Sequence, residues 1–177
     1  MTPHDLPELV VVILLVLVFL MVMATLLDGG ARITVARRQI AQTQLDHLAD
    51  LIIKIKGFSE KASVGITGGT CSDCACRTGG PVDRNPECVR GWLQALHAFE
   101  ALGKELGLVE NLAAFATDAF GSPFLLDEND DEPGSCARDT LRSAGPDKVW
   151  GTADDLFPYG KANYIININA APGCAGR

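Results

Sequence analysis

Nineteen consecutive residues, Leu9–Leu27, are apolar at every position except Thr25, and no proline separates them from a periodic segment that lasts to about Lys56. As a helix rising about 1.5 Å per residue, the run would be roughly 28 Å long, close to the hydrocarbon thickness of a bilayer. The residues before it include His4, Asp5 and Glu8 but no Lys or Arg, and the helical pattern continues beyond Ala31. A retained anchor is therefore expected rather than a cleaved signal peptide. The expected layout begins with a short polar N-terminus over 1–8 and a transmembrane helix over 9–28.

Beyond Gly29 and Gly30, where a bend or a melted turn is expected, Ile33, Ala36, Ile40, Leu45, Leu48, Leu51, Ile52 and Ile55 recur at mostly three- and four-residue intervals. Polar residues stand between them, so 29–57 reads as an amphipathic stem helix with one apolar stripe to cover. About 120 residues remain for a single modest domain. Asn85-Pro86 is a helix-start signal, and Val89, Trp92, Leu93, Leu96, Phe99, Leu102 and Leu106 continue at helical spacing. A helical segment is expected over 90–117, with a second short helix across Val109–Ala116. Phe124–Leu126 and Tyr164–Ile168 are strand candidates, which assigns 118–177 to a small antiparallel sheet carrying an acidic loop. The expected fold class is α+β, a long N-terminal helix packed on a small C-terminal domain.

Six cysteines, Cys71, Cys74, Cys76, Cys88, Cys136 and Cys174, all follow the apolar run. An even number in a small domain points to an oxidising compartment and up to three disulfides, with fifteen pairings open. The stretch 58–89 reads as a loop pinned by these residues. A four-thiolate zinc site from Cys71, Cys74, Cys76 and Cys88 is the metal alternative, although a second Cys-x-x-Cys knuckle is missing. Cys71-x-x-Cys74 also matches a redox pair, but no strand-helix pattern of the thioredoxin kind precedes it. Arg32, Arg37 and Arg38 taken alone would place the C-terminal side in the cytoplasm. The cysteines argue for the other side and decide the expectation.

The chain has 22 acidic against 15 basic residues, and Asp127–Asp155 holds nine acids against Arg138, Arg142 and Lys148. Such a surface repels phosphate backbones, so no nucleic-acid partner is expected. Ser143, Asp147, Asp154 and Asp155 bring three carboxylates and a hydroxyl into one loop, with Gly145 and Gly151 for tight turns. Hard cations such as calcium take six to eight oxygen ligands from sets of this kind. The stretch 127–132 is not an EF-hand, because Glu132 stands where glycine is needed, and reads as a polar turn. With His4, His47 and His97 scattered, no nucleophile-base arrangement is suggested, and no enzymatic activity is expected.

Several of these pieces together resemble the major pseudopilin of type II secretion systems, a member of the type IV pilin-like superfamily. Glu8-Leu-Val-Val-Val-Ile13 resembles the start of the processed pilin helix. Ala31-Arg-Ile-Thr-Val-Ala36, with Ile40 and Leu45, resembles the stem. Asp118-Ala-Phe-Gly-Ser-Pro-Phe124 is similar to the family's Asp-Pro-Trp-Gly-Asn-Pro-Tyr. Ser143-Ala-Gly-Pro-Asp147 followed by Gly151-Thr-Ala-Asp-Asp155 resembles its calcium loop. The resemblance implies a non-enzymatic subunit of a periplasmic filament in protein secretion, single-pass in the inner membrane with the C-terminal domain in the periplasm. It implies Ca2+ held by Ser143, Asp147, Asp154, Asp155 and the Leu141 carbonyl, and an assembly role for Glu8 against a neighbour's N-terminal amine. The implied partners are copies of the chain, minor pseudopilins, the inner-membrane secretion platform and the lipid bilayer. Two other functions stay open: a solitary membrane-anchored binding module that uses the cysteine-rich segment, and a membrane-anchored thiol oxidoreductase.

Overall fold

The computed structural model describes residues 5–69, 71–109, 111–128, 138–158 and 165–166, without the side chains of 5–13, 22, 24–31, 138 and 165–166. Cys136 and Cys174, and Tyr164 and 167–168 of the last strand candidate, lie outside the described residues. The chain divides into two compact units, Met1–Arg37 and Arg38–Arg177.

Helix α1 runs Asp5–Ser59, and its backbone stays helical through Gly29 and Gly30. The melted turn that was one expectation there is not formed. Each glycine costs roughly 1 kcal/mol relative to alanine, but Leu26, Leu27 and Ala31 around them favour helix and the ladder continues. Within the apolar run, the described side chains are Leu14–Met21 and Met23, all exposed. Among the described residues no helix is long and apolar enough to cross a membrane. That finding corrects the transmembrane helix over 9–28, and with it the single-pass inner-membrane placement.

In the second unit, Ala41, Leu45, Leu48, Ala49, Ile52 and Ile55 of α1 are fully buried at helical spacing. Ile33 and Ile40, which share the periodicity, are exposed, so the covered stripe starts only at Ala41. It packs on Trp92, Ala95, Leu96 and Phe99 of helix α3, Pro86–Glu105, together with Leu112, Phe124, Leu126 and Leu141. Asn85 starts α3 by accepting from the N–H groups of Glu87 and Cys88 at 3.0 and 3.3 Å, ahead of Pro86, whose missing N–H costs nothing in a first turn. The Trp92 indole N–H, inside the core, donates to the Phe115 carbonyl at 2.9 Å. A short helix α2, Ser63–Thr67, follows α1, and single 3-10 turns occupy Cys74–Cys76, Val82–Arg84 and Ala113–Phe115. The last of these stands where a second short helix was expected.

Three antiparallel strands, β1 (Phe124–Asp127), β2 (Arg138–Ser143) and β3 (Ile165–Ile166), pair in the order β1-β2-β3. The register sets Phe124 opposite Ser143 and Leu126 opposite Leu141. β2 was not expected from its residues, for a physical reason. Its buried face is Asp139, Leu141 and Ser143, alternating with half-buried Thr140 and Arg142, so the period of two is carried mainly by polar groups. Both buried polar side chains on that face have partners, Asp139 through its Oδ2. Asp139 accepts from the Lys56 ammonium and the Ser63 hydroxyl, and the Ser143 hydroxyl donates to Asp118 Oδ2 at 2.5 Å.

Candidate functional site

Cys71 is bonded to Cys74, and Cys76 to Cys88. A zinc site of four thiolates is therefore not formed. The two bonds differ in surroundings. Cys76 and Cys88 are fully buried with Val82, Leu125 and Ala144, and Trp150 packs beside them. Cys71 is half-buried and Cys74 is exposed. The loop that carries them docks on the sheet through the Asp73 N–H, which donates to the Leu126 carbonyl at 3.0 Å, and turns over Cys74–Cys76.

Asp73, between the two bonded cysteines, is buried. Its Oδ1 lies 3.2 Å from Cys71 Sγ and accepts from Arg77 at 2.9 Å, while its Oδ2 accepts from the Trp150 indole N–H at 3.1 Å. In the disulfide Cys71 Sγ carries no proton. Once reduced, its thiol would have a carboxylate oxygen within hydrogen-bond distance. Arg77 also pairs with Asp127. Burial works against the guanidinium charge, but Asp73 and Asp127 outweigh it and the Arg77 pKa is raised. The guanidinium groups of Arg77 and Arg142 each lie 5.1 Å from the Trp150 ring centre, in cation-π range.

Glu128 braces the same loop from the other side. Its buried carboxylate accepts from the Ser72 N–H and the Ser72 hydroxyl, both at 2.6 Å, and from the Thr67 hydroxyl at 2.8 Å. Burial pushes the Glu128 carboxyl above its ordinary 4.5 despite these bonds. The folded protein thus keeps a proton at pH values where the unfolded chain has lost it. Stability from this group is fully present below about 4.5 and falls as pH rises through the raised folded value. Glu128→Gln can keep all three contacts, with its carbonyl toward the Ser72 N–H and its amide toward the two hydroxyls. The variant is expected to fall less steeply in urea-unfolding stability over that window, with part of the slope left by Asp118 and Asp155, which burial also raises. A slope equal to that of the unmodified protein would refute the assignment.

A cleft of about 260 Å³ opens beside Cys71, lined also by Thr67, Ser72, Glu87 and Gln94. Gly91 of α3 forms part of its wall, and a Cβ there would stand 2.5 Å from the Ser72 carbonyl oxygen. Only glycine lets α3 lie this close to the cysteine loop.

The residues expected to hold calcium lie on β2 and in the acidic loop after it. Leu141 is a fully buried residue of β2, with its backbone in the β1 ladder. Ser143 ends that strand, exchanges both backbone hydrogen bonds with Leu156, and turns its hydroxyl to Asp118. Asp147 accepts from the Val149 N–H at 2.8 Å. Asp154 accepts from the Thr152 hydroxyl at 2.6 Å and the Asp147 N–H at 3.1 Å. Burial works the other way, but these bonds hold the Asp154 carboxyl below its ordinary value. Asp155 accepts from the Gly151 N–H at 3.0 Å and faces Arg142 at 3.5 Å. Gly145, at φ +66°, lets the turn close on the Asp154 carbonyl. The mutual repulsion expected of these carboxylates is offset by N–H and hydroxyl donors and by Arg142. Among the described residues, the one group of three or more potential ligands whose atoms lie within 4.8 Å of one another is Cys71, Asp73 and Cys74. The loop carboxylates form no such group, and no calcium-binding geometry is evident there. Glu8 lies on α1, and its side chain is outside the described residues.

No family model, curated protein or solved structure matches this chain. The expected membrane-anchored, calcium-stabilised filament subunit is corrected by the absence of a spanning helix among the described residues and by the site itself. The expectation of no enzymatic activity is corrected by the same cluster, because a partly exposed Cys-x-x-Cys bond beside a buried carboxylate is capable of redox chemistry. If the S–S bond opened, Cys71, Cys74 and Asp73 would offer two thiolates and a carboxylate, a donor set compatible with zinc. Asp73 is already committed to Arg77 and Trp150, which favours disulfide exchange over metal binding. Residue spacing in the sequence pointed to Cys71 and Cys74 but missed Arg77, Glu128, Asp127 and Trp150. The Asp73-x-x-x-Arg77 spacing was a visible signal. The contacts of Glu128 and Trp150, 56 and 77 residues from their partners, left none.

Proposed function

We propose that this domain is a thiol-disulfide exchange module whose working bond is Cys71–Cys74, with Cys76–Cys88 serving as a structural tie. The difference in exposure between the two bonds carries this reading. Exchange requires a thiolate to reach a sulfur, and access is one of the quantities that sets its rate. Cys74 stands in solvent and Cys71 borders a cleft, whereas Cys76 and Cys88 are closed off by apolar neighbours.

The reaction balances with a thiol as the only co-reactant. A thiolate attacks one sulfur of the pair, a mixed disulfide forms, and the second cysteine leaves as a thiolate that takes a proton from water. A second thiolate releases the small disulfide and leaves both cysteines reduced. The protein gains two electrons and two protons, and two thiols become one disulfide.

Stepwise reduction with dithiothreitol, trapped by alkylation and mapped by mass, tests the proposal. Cys71 and Cys74 are expected to be alkylated together while circular dichroism stays native and Cys76–Cys88 remains closed. In the same protein, reduction of a model disulfide should be accelerated, and Cys71→Ser should abolish the acceleration. Opening of Cys71–Cys74 only upon unfolding, together with Cys76–Cys88, would overturn the reading.

A further inference from the structure

The cleft beside Cys71 says which thiols the proposed exchange would favour. Among the described residues that line it, Glu87 is the only charged one. The others are Cys71, the hydroxyls of Thr67 and Ser72, the Gln94 amide, and glycines and alanines. Glu87 is exposed at the first turn of α3, within the wall of the cleft. The Glu128 carboxylate lies directly behind, bonded to both hydroxyls of that wall. Asp73 adds a third carboxylate, against Cys71 itself. Arg77, the cation in this group, is paired with Asp73 and Asp127. A negative field in a concave site concentrates cations and repels anions. The volume of about 260 Å³ is below the roughly 300–1,000 Å³ of pockets for drug-sized ligands, so the cleft suits a small molecule or a single chain end.

We infer that the cleft beside Cys71 selects small thiols that carry an ammonium group, with Glu87 receiving the ammonium while the thiolate attacks Cys71 Sγ. This inference rests on the exchange reading. The new bond joins the substrate sulfur to Cys71, the Cys71–Cys74 bond breaks, and Cys74 departs as a thiolate into water, away from the Asp73 carboxylate. A proton from solvent completes the step. A second aminothiol attacks the substrate sulfur of the mixed disulfide, and Cys71 leaves and is protonated from solvent.

Three thiols of similar size and different charge test the inference on the oxidised full chain: 2-aminoethanethiol, 2-mercaptoethanol and 2-mercaptoethanesulfonate. Each rate of opening, read by quench and alkylation, is divided by the rate of the same thiol with a small neutral disulfide, which removes differences in thiolate fraction and nucleophilicity. At low ionic strength the aminothiol is expected to lead mercaptoethanol by about threefold to tenfold, with the sulfonate slowest, and 0.5 M salt should compress the order. Glu87→Gln should remove most of the aminothiol advantage. Equal normalised rates, or an advantage unchanged in Glu87→Gln and insensitive to salt, would overturn the inference and leave the exchange reading standing. If no thiol opens Cys71–Cys74 in the folded chain, the exchange reading fails first. The salt series uses the unmodified protein and so remains decisive if the variant folds poorly.

Discussion

Lys56→Met is expected to lower the unfolding free energy by about 3–5 kcal/mol, the usual cost of removing one partner from a buried ion pair. The Lys56 ammonium is 1% exposed and pairs with Asp139, which is fully buried and also takes the Ser63 hydroxyl. Methionine fills nearly the same volume as the lysine stem, so packing along Ile52 and Ile55 survives. What is lost is the cation that makes the Asp139 carboxylate tolerable inside the domain. Lys56→Met with Asp139→Leu should recover most of the loss, because an apolar pair of similar size needs no desolvation of charge. Urea unfolding with a constant m-value gives both numbers. A single-variant loss below about 1 kcal/mol would show that the pair is hydrated in solution.

The second large effect separates the two cysteine bonds. Removing Cys76–Cys88 by paired alanine substitution is expected to cost about 3 kcal/mol from the loop-entropy relation for a 12-residue separation. Loss of apolar contact with Val82, Leu125 and Ala144 adds to that. The same relation gives about 2 kcal/mol for Cys71–Cys74, whose ends are three residues apart. That bond lies at the surface, so little packing is lost with it. Thermal and urea unfolding should therefore rank the Cys76/Cys88 pair as the more damaging. The reverse order would mean that the exposed bond is the main structural tie, which removes the reason for treating it as the working one.

Legibility in the sequence followed the physics of each segment. Asn85 and Pro86 act within one turn, so the start of α3 can be read from two adjacent letters. The buried stripe of α1 obeys a simple period, but the period does not say where cover begins, and Ile33 and Ile40 share it while exposed. β2 was hidden because its inward groups are Asp139 and Ser143, whose burial depends on Lys56, Ser63 and Asp118 far along the chain. In the acidic loop the carboxylates are visible in a sequence, whereas the backbone N–H groups of Asp147, Val149 and Gly151 that donate to them are not. Cysteine pairing was open among fifteen arrangements. A carboxylate between two cysteines became meaningful only once Trp150 and Arg77 were seen to hold it.

The placement of Trp150 has a practical sequel. Its indole ring is flanked by two guanidinium groups and tethered to the carboxylate that touches Cys71, whereas the other tryptophan, Trp92, is sealed in the interior against Phe124. One chromophore thus adjoins the sulfur chemistry and the other is insulated from it. The molecule carries its own optical gauge and its own internal standard, so electron uptake could be followed by ultraviolet emission on an unlabelled chain.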